Sequence, residues 1–119
     1  MKITRKFDQK VFASDCQVAD SVWARFRGLM GKQSMASSEG LLLEPCNSIH
    51  TFFMRFAIDV VYLSKEAIEG DVSIYKVLKV CAETKPWRMH LPVSGARAVL
   101  ELPKGAADGL RKGDVLCLS

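Results

Sequence analysis

His50-Thr-Phe-Phe-Met-Arg-Phe-Ala-Ile-Asp-Val-Val-Tyr-Leu63 is the stretch that sets the fold class. Its even positions, Phe52, Met54, Phe56, Ile58, Val60 and Tyr62, are apolar without a break. That is the period-two pattern of a β-strand with one face against a core. The odd positions mix the polar Thr51, Arg55 and Asp59 with Phe53, Ala57, Val61 and Leu63. Fourteen residues exceed the usual strand length, so a bend or bulge is expected near Arg55–Ala57.

Shorter strands are expected on both sides. Gly40-Leu-Leu-Leu-Glu44 is stopped by Pro45. Val72 to Cys81 follows a turn containing Gly70-Asp71, and Arg97 to Leu102 ends at Pro103. Arg111-Lys-Gly-Asp114 turns the chain into a last strand, Val115 to Leu118. One helix is expected over about residues 20–30: Asp20 can cap it, Val22, Trp23, Phe26, Leu29 and Met30 form its apolar stripe, and Gly31 can end it. Ser21, Arg25 and Lys32 would then face water, and a short helical turn is expected near 105–110. The class is therefore mainly β: a small β-sandwich or barrel with a flanking helix, residues 1–119 forming a single domain. Strand order cannot be read from this pattern.

Composition narrows the class further. The chain is 49% apolar, in the globular range, and no apolar run approaches the ~20 residues of a membrane span. The basic start is not followed by a signal-length apolar run, which makes a cytoplasmic location the expectation. Cys16, Cys46, Cys81 and Cys117 are far apart and include no Cys-x-x-Cys pair, so they read as free thiols and not as a zinc site or disulfide framework. No cofactor is implied. The formal charge of +4 resides wholly in residues 1–32, where seven basic side chains meet three acidic ones. Such a segment could attract nucleic acid or an anionic surface. The excess is modest, and no interleaved aromatics accompany it, so a solvated face is the simpler reading.

Arg27-Gly-Leu-Met-Gly-Lys32, Glu39-Gly-Leu-Leu-Leu-Glu-Pro-Cys-Asn-Ser-Ile-His-Thr-Phe-Phe-Met-Arg-Phe56, Ile58-Asp59-Val60-Val61 and Ala96-Arg-Ala-Val-Leu-Glu-Leu102, with Gly105 and Lys112-Gly-Asp114, occur in that order. Over about residues 18–118 the chain resembles the domain-of-unknown-function 192 family of bacterial and archaeal proteins. The resemblance implies a compact, mainly β domain and no particular activity. Export signals carried by some relatives do not transfer to this chain. Ala57 stands where the family pattern often has Pro.

Asn47, Ser48, His50, Thr51, Arg55 and Asp59 crowd polar groups into an apolar neighbourhood. Burial of such groups is costly unless each finds a partner, so they either satisfy one another or line a cleft. In one straight strand Arg55 and Asp59 would stand about 13 Å apart, and a bend could close them into an ion pair. Trp87-Arg88, after Pro86, could rim a pocket and stack on a ligand. The favoured reading is a non-enzymatic binding or accessory domain, in which Asn47, His50, Thr51, Arg55, Asp59, Trp87 and Arg88 hold a small anionic molecule or peptide. A small hydrolase or transferase is the alternative, with Cys46 or Asp59 acting beside His50. A soft-metal site from Cys46, His50 and Met54, joined by Met89 and His90, is weaker still. Arg97 and Glu101 lie opposite Ala98, Leu100 and Leu102 along their strand, and solvent or cross-strand pairing is expected for both.

Overall fold

A computed structural model describes residues 1–21, 24–25 and 28–119. Eight strands run in chain order: β1 (Ile3–Arg5), β2 (Val11–Ala13), β3 (Asp15–Ala19), β4 (Glu39–Leu43), β5 (Ile58–Glu69), β6 (Val72–Thr84), β7 (Ala98–Pro103) and β8 (Val115–Leu118). All belong to one mixed sheet of order β2-β1-β8-β6-β5-β7-β4-β3, in which only the β3–β4 pair is parallel. The mainly β class is as expected. The radius of gyration, 12.9 Å, is close to the ~13.5 Å of a single folded body of this length.

The end strands β2 and β3 are separated in sequence by Ser14 alone, so the sheet has to curl until its two ends meet. No ladder joins β2 to β3. Met1 instead exchanges two main-chain hydrogen bonds with Cys16 of β3, at 2.7 and 3.2 Å, tying the start of the chain across the gap. The curl comes from the long β5–β6 hairpin. Its ladder shifts register at three places, and each irregularity adds local bend and twist. The first half of β5 pairs with β7, while the first half of β6 pairs with β8, so the hairpin links the two flanks of the sheet. Gly70, with φ of +62°, supplies the tight turn between them.

Two apolar clusters lie on opposite faces. Val61, Leu63, Tyr75, Val77, Leu100, Leu102 and Leu116 belong to the inner one, to which every strand contributes. Ile58, Val60, Tyr62 and Val99 meet Leu29, Ile49 and Met54 in the other. The middle strands β5 and β7 are therefore covered on both sides, and Ala98 to Leu102 are buried without a break. Where β4 passes closest to the β2–β3 corner its residue is Gly40. A Cβ there would stand 3.0 Å from the Cβ of Ala13, so this approach needs a glycine.

Several sequence expectations change here. Residues 50–57 are not the first half of a long strand; they form an irregular loop, and β5 starts only at Ile58. The even-position apolar set is thus split between loop and strand. Of the expected helix, Ala24 and Arg25 are helical, while Val22, Trp23 and Phe26 lie outside the described residues. Ser21, not Asp20, provides the cap, its Oγ accepting a hydrogen bond from the Ala24 N–H at 3.0 Å. Gly31 does take a left-handed conformation, but Gly28 already does so three residues earlier. The segment Gly105–Leu110 is a succession of tight turns. Arg5, from the basic first quarter, is largely buried and bridges Asp8 and Asp114, so part of that charge excess is structural.

Candidate functional site

The sequence-expected site residues do not converge. Thr51 is fully buried and fully engaged. Its hydroxyl donates to the Lys85 carbonyl at 2.7 Å and accepts from the Arg88 N–H at 2.8 Å. Its own N–H donates to the Arg88 carbonyl at 2.8 Å, and its carbonyl accepts from the Trp87 N–H at 3.0 Å. Thr51 is a clasp between two loops, with nothing left to offer a ligand. Exchange for Val keeps the shape but removes the partner of the Lys85 carbonyl and of the Arg88 N–H. Thr51→Val is expected to lower stability by about 2–4 kcal/mol, read from the urea midpoint at unchanged slope.

Asp59 is also buried, but toward the inner cluster, beside a separate hollow of about 400 Å³. Its two oxygens accept from the main-chain N–H groups of Glu83 and Ala107 at 3.0 and 2.9 Å. The expected Arg55–Asp59 ion pair does not form, because Arg55 sits exposed in the loop that replaces the strand. Asn47 and Arg88 are exposed, and Trp87 projects outward against Phe52 and Phe53. His90 accompanies Tyr62, its Nδ1 2.7 Å from the phenol oxygen. Burial, with Lys79 nearby, keeps this imidazole below its usual pKa. Met89 is exposed, and among the described residues no three His, Cys, Asp or Glu side chains are placed to hold a metal ion.

A different set does converge. Arg25, Gly28, Leu29 and Met30 meet residues of β4, β7 and the 46–54 loop around a cavity of about 230 Å³. Leu29, Leu43, Ile49 and Met54 form its apolar wall. Arg25, Cys46, Ser48, His50 and Glu101 bring the polar groups. Cys46, Ser48 and His50 are among the polar residues that the sequence singles out; Arg25 was expected to face water, and Glu101 to meet solvent or a cross-strand partner. Glu101 is only 3% exposed, since β7 runs between β5 and β4 with both faces covered. It shares a face with Val60 across the β5–β7 ladder, and Oε1 would lie 3.5 Å from a Cβ placed on Gly28. Among the described residues no donor hydrogen-bonds its carboxyl. Burial alone raises its pKa to about 8, so at neutral pH the group is chiefly a neutral acid with a proton to donate.

The Cys46 thiol donates to the Ser48 carbonyl at 2.9 Å, and burial pushes its pKa upward, with Glu101 adding to the effect once it is ionised. His50 accepts at Nδ1 from the Phe52 N–H at 3.2 Å. Glu101 could have been suspected from the Leu41-Leu-Leu43 and Val60-Val61 runs, which indicate strands with no solvent face.

The family model for domain of unknown function 192, described as uncharacterized ACR, COG1430, matches residues 3–118. The chain belongs to this family. A UPF0127 protein of Thermococcus sibiricus is 32% identical over 114 residues, covering 91% of this chain and 67% of the relative. One from Pyrococcus horikoshii is 32% identical over 100 residues, covering 82% and 79%. Two solved structures share the fold. A protein of unknown function from Novosphingobium aromaticivorans aligns with a TM-score of 0.76 at 21% identity, covering 97% of this chain and 81% of its own. One from Sinorhizobium meliloti, provisionally described as a transcription regulator, aligns at 0.75 and 16% identity, covering 97% and 88%. At such identities these two speak for the family fold alone.

Proposed function

We propose that this member of the family is a small, non-enzymatic binding domain of the cytoplasm, and that its ligand is a compact apolar molecule ending in a carboxylate or carbonyl. One observation carries this reading: a buried acid whose pKa burial raises, facing an apolar-walled cavity that Arg25 also lines. A neutral carboxyl can give its proton to a ligand oxygen, and Arg25 favours a negative head group. The arrangement follows the general form of small-molecule sites, a mostly apolar hollow with a few convergent polar groups. The neutral, carbonyl-bonded thiol of Cys46 supports binding over thiol catalysis. The four free cysteines suit a reducing compartment.

Hexanoate tests the proposal. Its amide resonance shifts should concentrate on residues 46–50 and 101, with affinity falling as pH rises from 6 to 9 and Glu101 ionises. Glu101→Gln retains a donor and should bind without that pH dependence, whereas Glu101→Leu should lose at least about tenfold in affinity. Hexylamine, the opposite charge, should show the reverse trend if it binds at all. Hexanoate binding that survives Glu101→Leu unchanged, or no binding at tens of millimolar, would remove the reading.

A further inference from the structure

Nine large apolar side chains are exposed among the described residues, and four of them stand on two loops held together by Thr51. Phe53 is 59% exposed, Trp87 56%, Met89 69% and Leu91 83%. The Phe53 and Trp87 rings meet edge to face with centroids 4.8 Å apart. Phe52 stacks behind Trp87 at 5.8 Å. Both Phe53 and Trp87 have left-handed backbones, with φ of +64° and +62°, a conformation that bulky residues rarely adopt. Such strain persists only where surrounding structure enforces it. Here the Thr51 hydrogen bonds and the His50–Met89 bridge do so, and the outcome is two aromatic rings aimed away from the core.

Charge identifies the counterpart. Arg55, Lys85 and Arg88 are exposed around these rings, and Glu83 is the one acid within the two loop segments 50–57 and 83–91. Neither cavity described above has Phe53, Trp87, Met89 or Leu91 in its wall. An extended peptide often pairs with a free strand edge, and residues 51–57 and 85–91 belong to none of the eight strands. A bilayer surface suits exposed rings on such loops: aromatic rings settle at the level of the headgroups, apolar tips reach the acyl boundary, and flanking Lys and Arg meet anionic lipid.

We infer that the loops tipped by Phe53 and Trp87 dock this protein on an anionic membrane surface. Phe53, Trp87, Met89 and Leu91 lie outside the wall of the Glu101 cavity, which shares only the flanking His50 and Met54 with these loops, and docking does not depend on that cavity. Co-sedimentation with phosphatidylcholine vesicles, with and without 30% phosphatidylserine, measures it. The protein should partition onto the anionic vesicles, release with rising salt, and show quenching of Trp87 by brominated acyl chains in a Trp23→Phe background. A Phe53→Ser/Trp87→Ser variant should lose about tenfold or more in partitioning while keeping its thermal midpoint, and Arg55→Gln/Arg88→Gln should lose the preference for anionic lipid. Should the serine variant unfold, bromolipid quenching of Trp87 in the Trp23→Phe protein still decides the matter. Equal sedimentation on neutral and anionic vesicles, absence of quenching, or capture by an acidic peptide without vesicle binding would each overturn the inference.

Discussion

At pH 8, Glu101→Gln is expected to be more stable than the parent by about 2–4 kcal/mol, and the gap should close as the pH is lowered toward 5. The unfolded chain ionises Glu101 near its ordinary value of 4.5, while the folded chain holds the proton up to about 8. Below pH 4.5 both states are protonated and the neutral acid has its full stabilising effect. Between these values the unfolded state loses its proton and the folded state does not, so stability falls by up to about 1.4 kcal/mol per pH unit as pH rises. Above pH 8 both are ionised and the slope ends. Gln has nearly the same shape and no proton to lose. His90 works in the other direction: its lowered pKa means that stability is lost as pH falls below its usual 6.5, but both proteins share that effect and it cancels in the comparison. Urea titrations of the pair at pH 5, 6, 7 and 8 give the difference directly. Parallel curves would show that the folded carboxyl is as well solvated as the free one, and the cavity argument would lose its anchor.

Glu101 also illustrates what a single sequence conveys. Arg97, Ala98, Val99, Leu100 and Glu101 alternate well enough to suggest one wet face, and Arg97 is indeed exposed. Whether Glu101 is wet depends on which strands flank β7, and that is a matter of topology. The partners, β5 and β4, come from residues about 40 and 60 positions earlier. Segments whose neighbours leave a face exposed or end at a Pro or Gly were legible: β4, β6, β7, β8 and the Gly70 turn all lie close to their expected places. The three short N-terminal strands were not. Ile3 and Arg5 point inward in β1, and the inward arginine is held by Asp8 nearby and by Asp114 from the far end of the chain.

The stretch from His50 to Leu63 fails in an instructive way. Phe52, Met54 and Phe56 continue the alternation of β5 perfectly, yet the residues between them do not keep an extended backbone. Phe53 turns left-handed, and Thr51 finds its partners in Lys85, Trp87 and Arg88 in place of a ladder neighbour. Hydrogen bonds from a distant loop outweigh a local period of two. Of the polar residues in this stretch Thr51 and Asp59 are buried, and both find main-chain partners, while Arg55 is exposed.

Asp59 supplies the second large effect. Asp59→Ala is expected to cost about 2–4 kcal/mol, since it leaves the Glu83 N–H and the buried Ala107 N–H without their acceptor. Asp59→Asn should cost less, about 1–3 kcal/mol, because the amide keeps one acceptor oxygen while its NH2 meets the other N–H unfavourably. No basic side chain pairs with Asp59 among the described residues, so loss of the charge alone should matter little. Urea midpoints at unchanged slope measure the cost, and faster amide exchange at Glu83 and Ala107 locates it. The same variants separate scaffold from site. If Asp59 only ties β5 to β6 and the 105–110 turns, folded Asp59→Asn binds hexanoate as the parent does, because the cavity walled by Glu101, Cys46 and His50 lies on the opposite face of the sheet. A stable Asp59→Asn protein that had lost the ligand would reverse that assignment and return Asp59 to the functional residues.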